Sequence, residues 1–198
     1  MRRRRSTLKY PVEILTREEA RAILLAPSPV AATGVRNRAL IAMMYGAGLR
    51  VSEALALKVS DVDTDAASVR VLHGKGDKSR TVGIDLGALV HVVRWIEVRR
   101  ARGLRSRHLF CTLAGGQVST SYVRAMMKRV AARAGVDKRV HAHGLRHTAA
   151  VEWAQEGVPV MEIRDQLGHK HLDTTATYLN HHSPAARIER IRNRRTEI

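Results

Sequence analysis

His143-Gly144-Leu145-Arg146-His147, then Leu167-Gly168-His169, then Thr174-Thr175-Ala176-Thr177-Tyr178 decide how this chain reads. Three histidines, an arginine and a tyrosine at these spacings are poorly explained as core packing. Together they supply what attack on a phosphodiester requires: a nucleophile, a cation for the phosphate oxygens, and imidazoles to hold charge and protons. Upstream, Gly48-Leu49-Arg50-Val51-Ser52-Glu53 adds a second arginine, and Gly74-Lys75-Gly76 sets a lysine in a turn.

A phosphodiester resists attack because its anionic oxygens repel nucleophiles and its sugar oxygen leaves poorly unless protonated. Proteins overcome this with a divalent metal or with fixed cations. The nearest thing to a carboxylate cluster is Asp61-Val62-Asp63-Thr64-Asp65. It resembles the start of a calcium loop, but Ala66 stands at the glycine position and Leu72 at the position of the bidentate glutamate. The stretch reads as a solvated turn before a strand. His141, His143 and His147 invite a zinc reading, and His143 and His147 could share a helix face. Cysteine partners are absent, however, and no His-Glu-x-x-His pattern occurs. The metal-free reading is stronger because Arg50 and Arg146 can each present a fork of N–H donors to non-bridging oxygens. Glu53 lies three residues beyond Arg50 on the same helical face, either as a plain salt bridge or as the group that holds the guanidinium in place. Tyr178 is the candidate nucleophile. A free phenol titrates near ~10, and nearby cations and imidazoles favour the phenolate.

Composition agrees with a polyanionic partner. Lys plus Arg number 35 against 18 Asp plus Glu, a formal +17, in a chain of 198 residues that is 44% apolar. Such an excess points first to DNA or RNA. The single Cys111 excludes an internal disulfide and fits a reducing compartment. It reads as a buried strand thiol. No apolar run approaches a membrane span, so no membrane partner is expected. Arg2-Arg3-Arg4-Arg5 could mimic the start of a signal peptide, but no apolar stretch follows it. A cytoplasmic location is expected.

The pattern of elements is α+β, mainly helical with one small antiparallel sheet. Thr16-Arg17-Glu18-Glu19 is a capping box that opens a helix to about Ala26, and Pro27 and Pro29 end it. Val35 to Tyr45 reads as a buried helix. Gly46 and Gly48 break it and deliver Arg50 at the start of a short helix. Val69 and Val71, then Thr81 to Ile84, read as a hairpin around a Gly-rich turn. A long helix from about Leu86 to Arg102, a short strand near Leu109, and a helix from Val118 to Ala134 capped by Gly135 follow. Further helices are expected over His143–Gly157, Pro159–Gly168, about Asp173–Asn180 and Ala185–Arg195. There is no internal repeat and no interdomain linker.

In this order the motifs resemble the active site of tyrosine site-specific recombinases, the phage integrase and Xer family. The resemblance runs from about Leu15 to Pro184 and implies the catalytic-domain fold of that family. It implies that Arg50 and Arg146 clamp the scissile phosphate and that Lys75 protonates the leaving 5′ oxygen. His143 falls at the histidine of the family's His-x-x-Arg motif, and His169 at a position occupied by His or Trp. Tyr178 would form a 3′-phosphotyrosyl link, and His147 matches an auxiliary histidine. Neither ATP nor a metal cofactor is implied. Lys78 and Arg80 are expected to contact DNA. Arg2, Arg3, Arg4 and Arg5 are either phosphate contacts or a solvated tail. The expected organisation is a basic arm over 1–14, the catalytic domain over 15–184, and a basic helix or tail over 185–198. In the family that last segment often docks on a neighbouring protomer. Double-stranded DNA is the expected partner, with self-association as a dimer or tetramer on it. Most family members also carry a separate N-terminal helical domain that clasps the other face of DNA, whereas here the catalytic domain begins almost at once. Leu179-Asn180 follows Tyr178 where many relatives have a polar residue and then histidine. Two other functions compete: a type IB topoisomerase, which shares the chemistry but relaxes DNA as a monomer, and a non-catalytic DNA-binding regulator.

Overall fold

The structure is a computed structural model and describes residues 13–72 and 79–169. Its first helix begins where the capping box predicts. Thr16 Oγ1 accepts from the Glu19 N–H at 3.2 Å, and Glu19 Oε2 accepts from the Thr16 N–H at 2.7 Å. Two orphan donors are thereby satisfied, and α1 spans Arg17–Leu25 with Ala20 and Ile23 buried.

The second helix, α2, spans Ala32–Gly46 and starts earlier than the sequence reading placed it. Ser28 is responsible: its Oγ accepts from the N–H groups of Val30 and Ala31 and folds the Pro-containing turn onto the helix start. Leu40, Ile41, Met43 and Met44 are fully buried, so α2 is the central rod of the core. After it comes α3, Val51–Ala56, with Arg50 as its N-cap.

The sheet has three strands, not two. β1 (Val62–Asp63), β2 (Ser68–Val71) and β3 (Arg80–Gly83) run antiparallel in the order β1-β2-β3, with Val69 opposite Val82 and Val71 opposite Arg80. The turn reading of Asp61–Asp65 therefore holds for exposed Asp65, whereas Asp63 is exposed but ends β1 and Asp61 is not in the turn. Asp61 is buried, accepts from the Lys58 N–H at 2.9 Å and closes a single 3-10 turn ahead of β1.

Asp85 caps α4, Leu86–Ala101. From this helix Trp95 Nε1 donates to Leu109 O at 2.8 Å, and Arg99 donates to Leu109 O at 2.6 Å and Ser106 O at 2.9 Å. No strand forms at Leu109, contrary to the sequence expectation. Its carbonyl is taken by side chains of α4 and its N–H by Leu57 O at 2.6 Å, which leaves no ladder to build. Only a single bridge, Cys111 to Gln117, remains, with the Cys111 thiol fully buried.

Three more helices complete the described fold: α5 (Thr120–Arg133), α6 (Ala142–Gln155) and α7 (Val160–Leu167). α7 is held to α6 by a small apolar cluster of Ala150, Ala154, Ile163 and Leu167, with Trp153 and Val158 packed against it. The remaining core is one continuous body reaching from Leu15 to Leu145. The expected helices over 173–180 and 185–195 lie outside the described residues. Among the described residues no helix is long and apolar enough to cross a membrane.

Candidate active site

Three chain turns converge on one carboxylate. Arg50 enters from the loop after α2, Arg80 from the first residue of β3, and Arg146 from the first turns of α6. Each approaches Glu53, whose side chain is 5% exposed. Arg50 closes on it locally: its N–H donates to Glu53 Oε2 at 2.9 Å, and its Nη1 donates to Oε1 at 2.7 Å. Arg80 presents both arms of its guanidinium, Nη1 to Oε1 and Nη2 to Oε2, each at 3.0 Å. Arg146 Nη1 lies 3.6 Å from Oε2. Burial alone would raise the Glu53 pKa. The hydrogen bonds from Arg80 and from the Arg50 N–H outweigh it, and the carboxyl titrates at about 2. A charge-assisted two-armed pair of this kind is the strong form of the interaction.

The loop that carries Arg50 depends on Gly48. Its φ is +63°, and a Cβ there would lie 2.8 Å from Trp153 Cη2 and 2.9 Å from Leu167 Cδ2. Only glycine meets both demands. Its carbonyl accepts from Arg146 Nη1 at 2.6 Å. Arg146 Nη2 donates to Leu167 O, and Arg50 Nη2 to Gly168 O at 3.4 Å. Both arginines thus reach the C-terminal end of α7, where Gly168 adopts φ 64° and turns the chain toward His169.

Two histidines stand in this positive field. His169 is buried, and its pKa is lowered to about 4, first by burial and then by the charges of Arg146, Arg50, His143 and Arg80. The His143 ring sits on the exposed side of α6. Desolvation by the protein around it comes first, and Arg146, His141 and Arg50 then add to lower its pKa. Both rings are held toward the neutral form, so at neutral pH they can donate and accept hydrogen bonds rather than add further cations. Among the described residues no cluster of three or more His, Cys, Asp or Glu side chains is arranged to hold a metal ion.

Of the residues singled out in sequence, the structure brings together Arg50, Glu53, Arg80, His143, Arg146 and His169. His147 is buried beside Arg146 in α6. Arg80, expected as a DNA contact, is engaged with Glu53, and its side chain is 16% exposed. Arg2, Arg3, Arg4, Arg5, Lys75, Lys78 and Tyr178 lie outside the described residues. Lys75 and Lys78 fall in the segment that joins β2 to β3, and Tyr178 lies nine positions beyond His169 in sequence. One participant was not anticipated. Gln166 contacts Gly83 and Ala47 through its side chain and Arg80 through its carbonyl. An amide in the last turn of a helix carries no sequence signal of such a role.

Comparison with known proteins agrees with this geometry. The phage integrase family matches residues 13–184. The tyrosine recombinase XerC of Xanthomonas campestris pv. campestris (strain B100) is 36% identical over 166 residues, which are 84% of this chain and 50% of that protein. The chain therefore spans about half the length of this curated relative. The crystal structure of XerA recombinase superposes with a TM-score of 0.80 at 28% identity, covering 94% of this chain and 66% of that one. XerH site-specific recombinase bound to palindromic difH substrate, in a post-cleavage complex, gives 0.77 at 27% identity, covering 95% and 54%. A mainly helical domain with a small antiparallel sheet, three arginines gathered on a buried glutamate, and a match over most of its length establish that this chain belongs to the phage integrase family.

Proposed function

We propose that this chain is the catalytic domain of a site-specific DNA recombinase that cuts and rejoins strands through a covalent 3′-phosphotyrosyl intermediate. The observation that carries the reading is the convergence of Arg50 and Arg146 on one buried carboxylate, next to two histidines held toward neutrality.

In this scheme the guanidinium of Arg50 and that of Arg146 neutralise charge developing on the non-bridging oxygens at phosphorus. The Tyr178 oxygen attacks, its bond to phosphorus forms, and the bond from phosphorus to the 5′ oxygen breaks. The phenolic proton passes to a neutral imidazole, His143 or His169. Lys75 gives a proton to the departing 5′ oxygen. Rejoining reverses the sequence with a 5′ hydroxyl as nucleophile, and the phosphotyrosyl bond conserves the energy that ATP would otherwise supply. Glu53 positions Arg50, and His147 supports the arginine beside it. Double-stranded DNA is the substrate, and assembly as a dimer or tetramer on it is required for exchange between two sites. The division into an arm over 1–14, a catalytic domain over 15–184 and a tail over 185–198 belongs to the same reading, with Lys78 and Arg2–Arg5 meeting phosphates. A cytoplasmic location fits a DNA substrate and the single reduced cysteine.

The test is incubation with nicked suicide substrates made from flanking genomic DNA. A denaturation-resistant adduct in the wild type, absent from Tyr178→Phe while DNA binding persists, supports the reading. An adduct formed equally by Tyr178→Phe refutes the nucleophile. Plasmid relaxation without strand exchange indicates a topoisomerase, and binding with no adduct indicates a regulator.

A further inference from the structure

Gln166 is in the last turn of α7, yet its contacts are with the sheet and with the loop that carries Arg50. Its Oε1 accepts from the Gly83 N–H at 3.0 Å, and its Nε2 donates to Gly83 O at 2.8 Å. Both peptide groups of one residue are thereby matched by one side-chain amide. Among the described residues β3 is an edge strand in the order β1-β2-β3, with no strand on the other side of Gly83. The amide does there what a neighbouring strand would do. Nε2 also donates to Ala47 O at 3.3 Å, three residues before Arg50. The Gln166 main-chain carbonyl accepts from Arg80 Nε at 3.3 Å, at the other end of β3. Arg80 in turn grips both oxygens of Glu53.

One residue thus ties together three pieces of chain. The first is β3, which follows the segment bearing Lys75. The second is the loop that delivers Arg50. The third is the end of α7, which leads to His169. We propose that Gln166 is a positioning residue that fixes the β2–β3 hairpin against the arginine cluster, so that the cation carried by the hairpin meets the leaving oxygen of the phosphate held by the arginines. This inference rests on the function proposed above. The role needs both halves of the amide, because Gly83 offers a donor and an acceptor and Ala47 offers an acceptor.

The experiment compares adduct formation on two suicide substrates, one with the normal 5′ bridging oxygen and one with sulfur in its place. A thiolate leaves without a proton. Gln166→Ala should slow the oxygen substrate by about 10- to 10²-fold, the scale of a small misplacement of a reacting group. DNA affinity should stay near wild type, and the sulfur substrate should recover most of the rate. Equal losses on both substrates, or no loss on either, would overturn the proposal. Should Gln166→Ala fail to fold, Gln166→Glu serves instead. Its carboxylate still accepts from Gly83 N–H but faces the Gly83 and Ala47 carbonyls without a donor, and protonation restores one. Its defect on the oxygen substrate, taken relative to wild type at the same pH, should therefore shrink as pH falls toward the carboxyl range, while its rate on the sulfur substrate stays near that of wild type at every pH. A defect that does not change with pH would overturn the proposal. An absence of adduct from the wild type on both substrates is a different result: it removes the recombinase reading itself, before any variant is compared.

Discussion

Arg80 and Glu53 form a two-armed ion pair, both bonds at 3.0 Å, across 27 residues of sequence. Lysine offers a single ammonium in place of the fork. Arg80→Lys should therefore destabilise the domain by about 1–3 kcal/mol, the range for a charged hydrogen bond lost at a buried partner. Urea unfolding measures this. Arg80→Gln, which removes the charge, should leave the slope of log DNA affinity against log salt unchanged, because Arg80 is directed at Glu53. A reduced slope would return Arg80 to the phosphate contacts.

Acid should unfold the protein partly through Glu53. In the unfolded chain this carboxyl titrates near 4.5, and in the fold it titrates at about 2. A depressed carboxyl pKa contributes stability that is complete above about pH 4.5 and is lost as pH falls through about 2. Glu53→Gln should be less stable at neutral pH and should show a flatter acid limb. Unfolding midpoints recorded from pH 6 down to about pH 2 decide the matter, and parallel limbs would remove Glu53 as the source.

His169 sets a second window. Its pKa falls from 6.5 in the unfolded chain to about 4 in the fold, so the unfolded state binds more protons between those values. Stability should therefore decline as pH drops from 6.5 to about 4, above the window of Glu53. Ring-nitrogen NMR should find His169 neutral at about pH 6, below the ordinary histidine value. A charged imidazole at that pH would contradict the burial and arginine field described here.

Gly48→Ala should be costly although it adds one methyl group. The substitution meets a positive φ of 63° and the side chains of Trp153 and Leu167 at under 3 Å. Backbone strain of this kind is worth about 1–3 kcal/mol. Calorimetry should show the loss. Adduct formation should fall further than stability does, because the Gly48 carbonyl is a partner of Arg146.

Cleavage should survive a chelator, since guanidinium groups and Lys75 supply the charge in the proposed scheme. Loss of adduct in EDTA with recovery on adding magnesium or zinc would revive the alternative built on His141, His143 and His147. Deletion of residues 1–5 should lower the salt slope without moving the cleavage position. An unchanged slope would make Arg2–Arg5 a solvated tail.

What the sequence made legible was local. Thr16 and Glu19 cap α1 as their spacing predicts, and Gly135 sits just past α5 with φ 66°. Arg50 and Glu53 could be paired because Glu53 follows Arg50 by three positions, the spacing of one helical face. Their meeting with Arg80 and Arg146 could not, because no periodicity encodes contacts made across the fold. β1 has two residues and gives no alternation to detect. The apolar run at Leu109 has the composition of a strand, but the side chains of Trp95 and Arg99 take its carbonyl. Gln166 was invisible because the partners of its side chain are backbone atoms, which have no residue type.

The carbonyls that close α7 have one more effect. Leu167 O and Gly168 O accept from Arg146 and Arg50 at the end of a helix, where the aligned peptide dipoles sum to about half a negative elementary charge. The protein thus supplies a weak internal counter-ion to its own arginines. In the proposed scheme an arriving phosphate meets guanidinium groups already aimed by the Glu53 carboxylate and by these carbonyls, so association requires little rearrangement of the receptor.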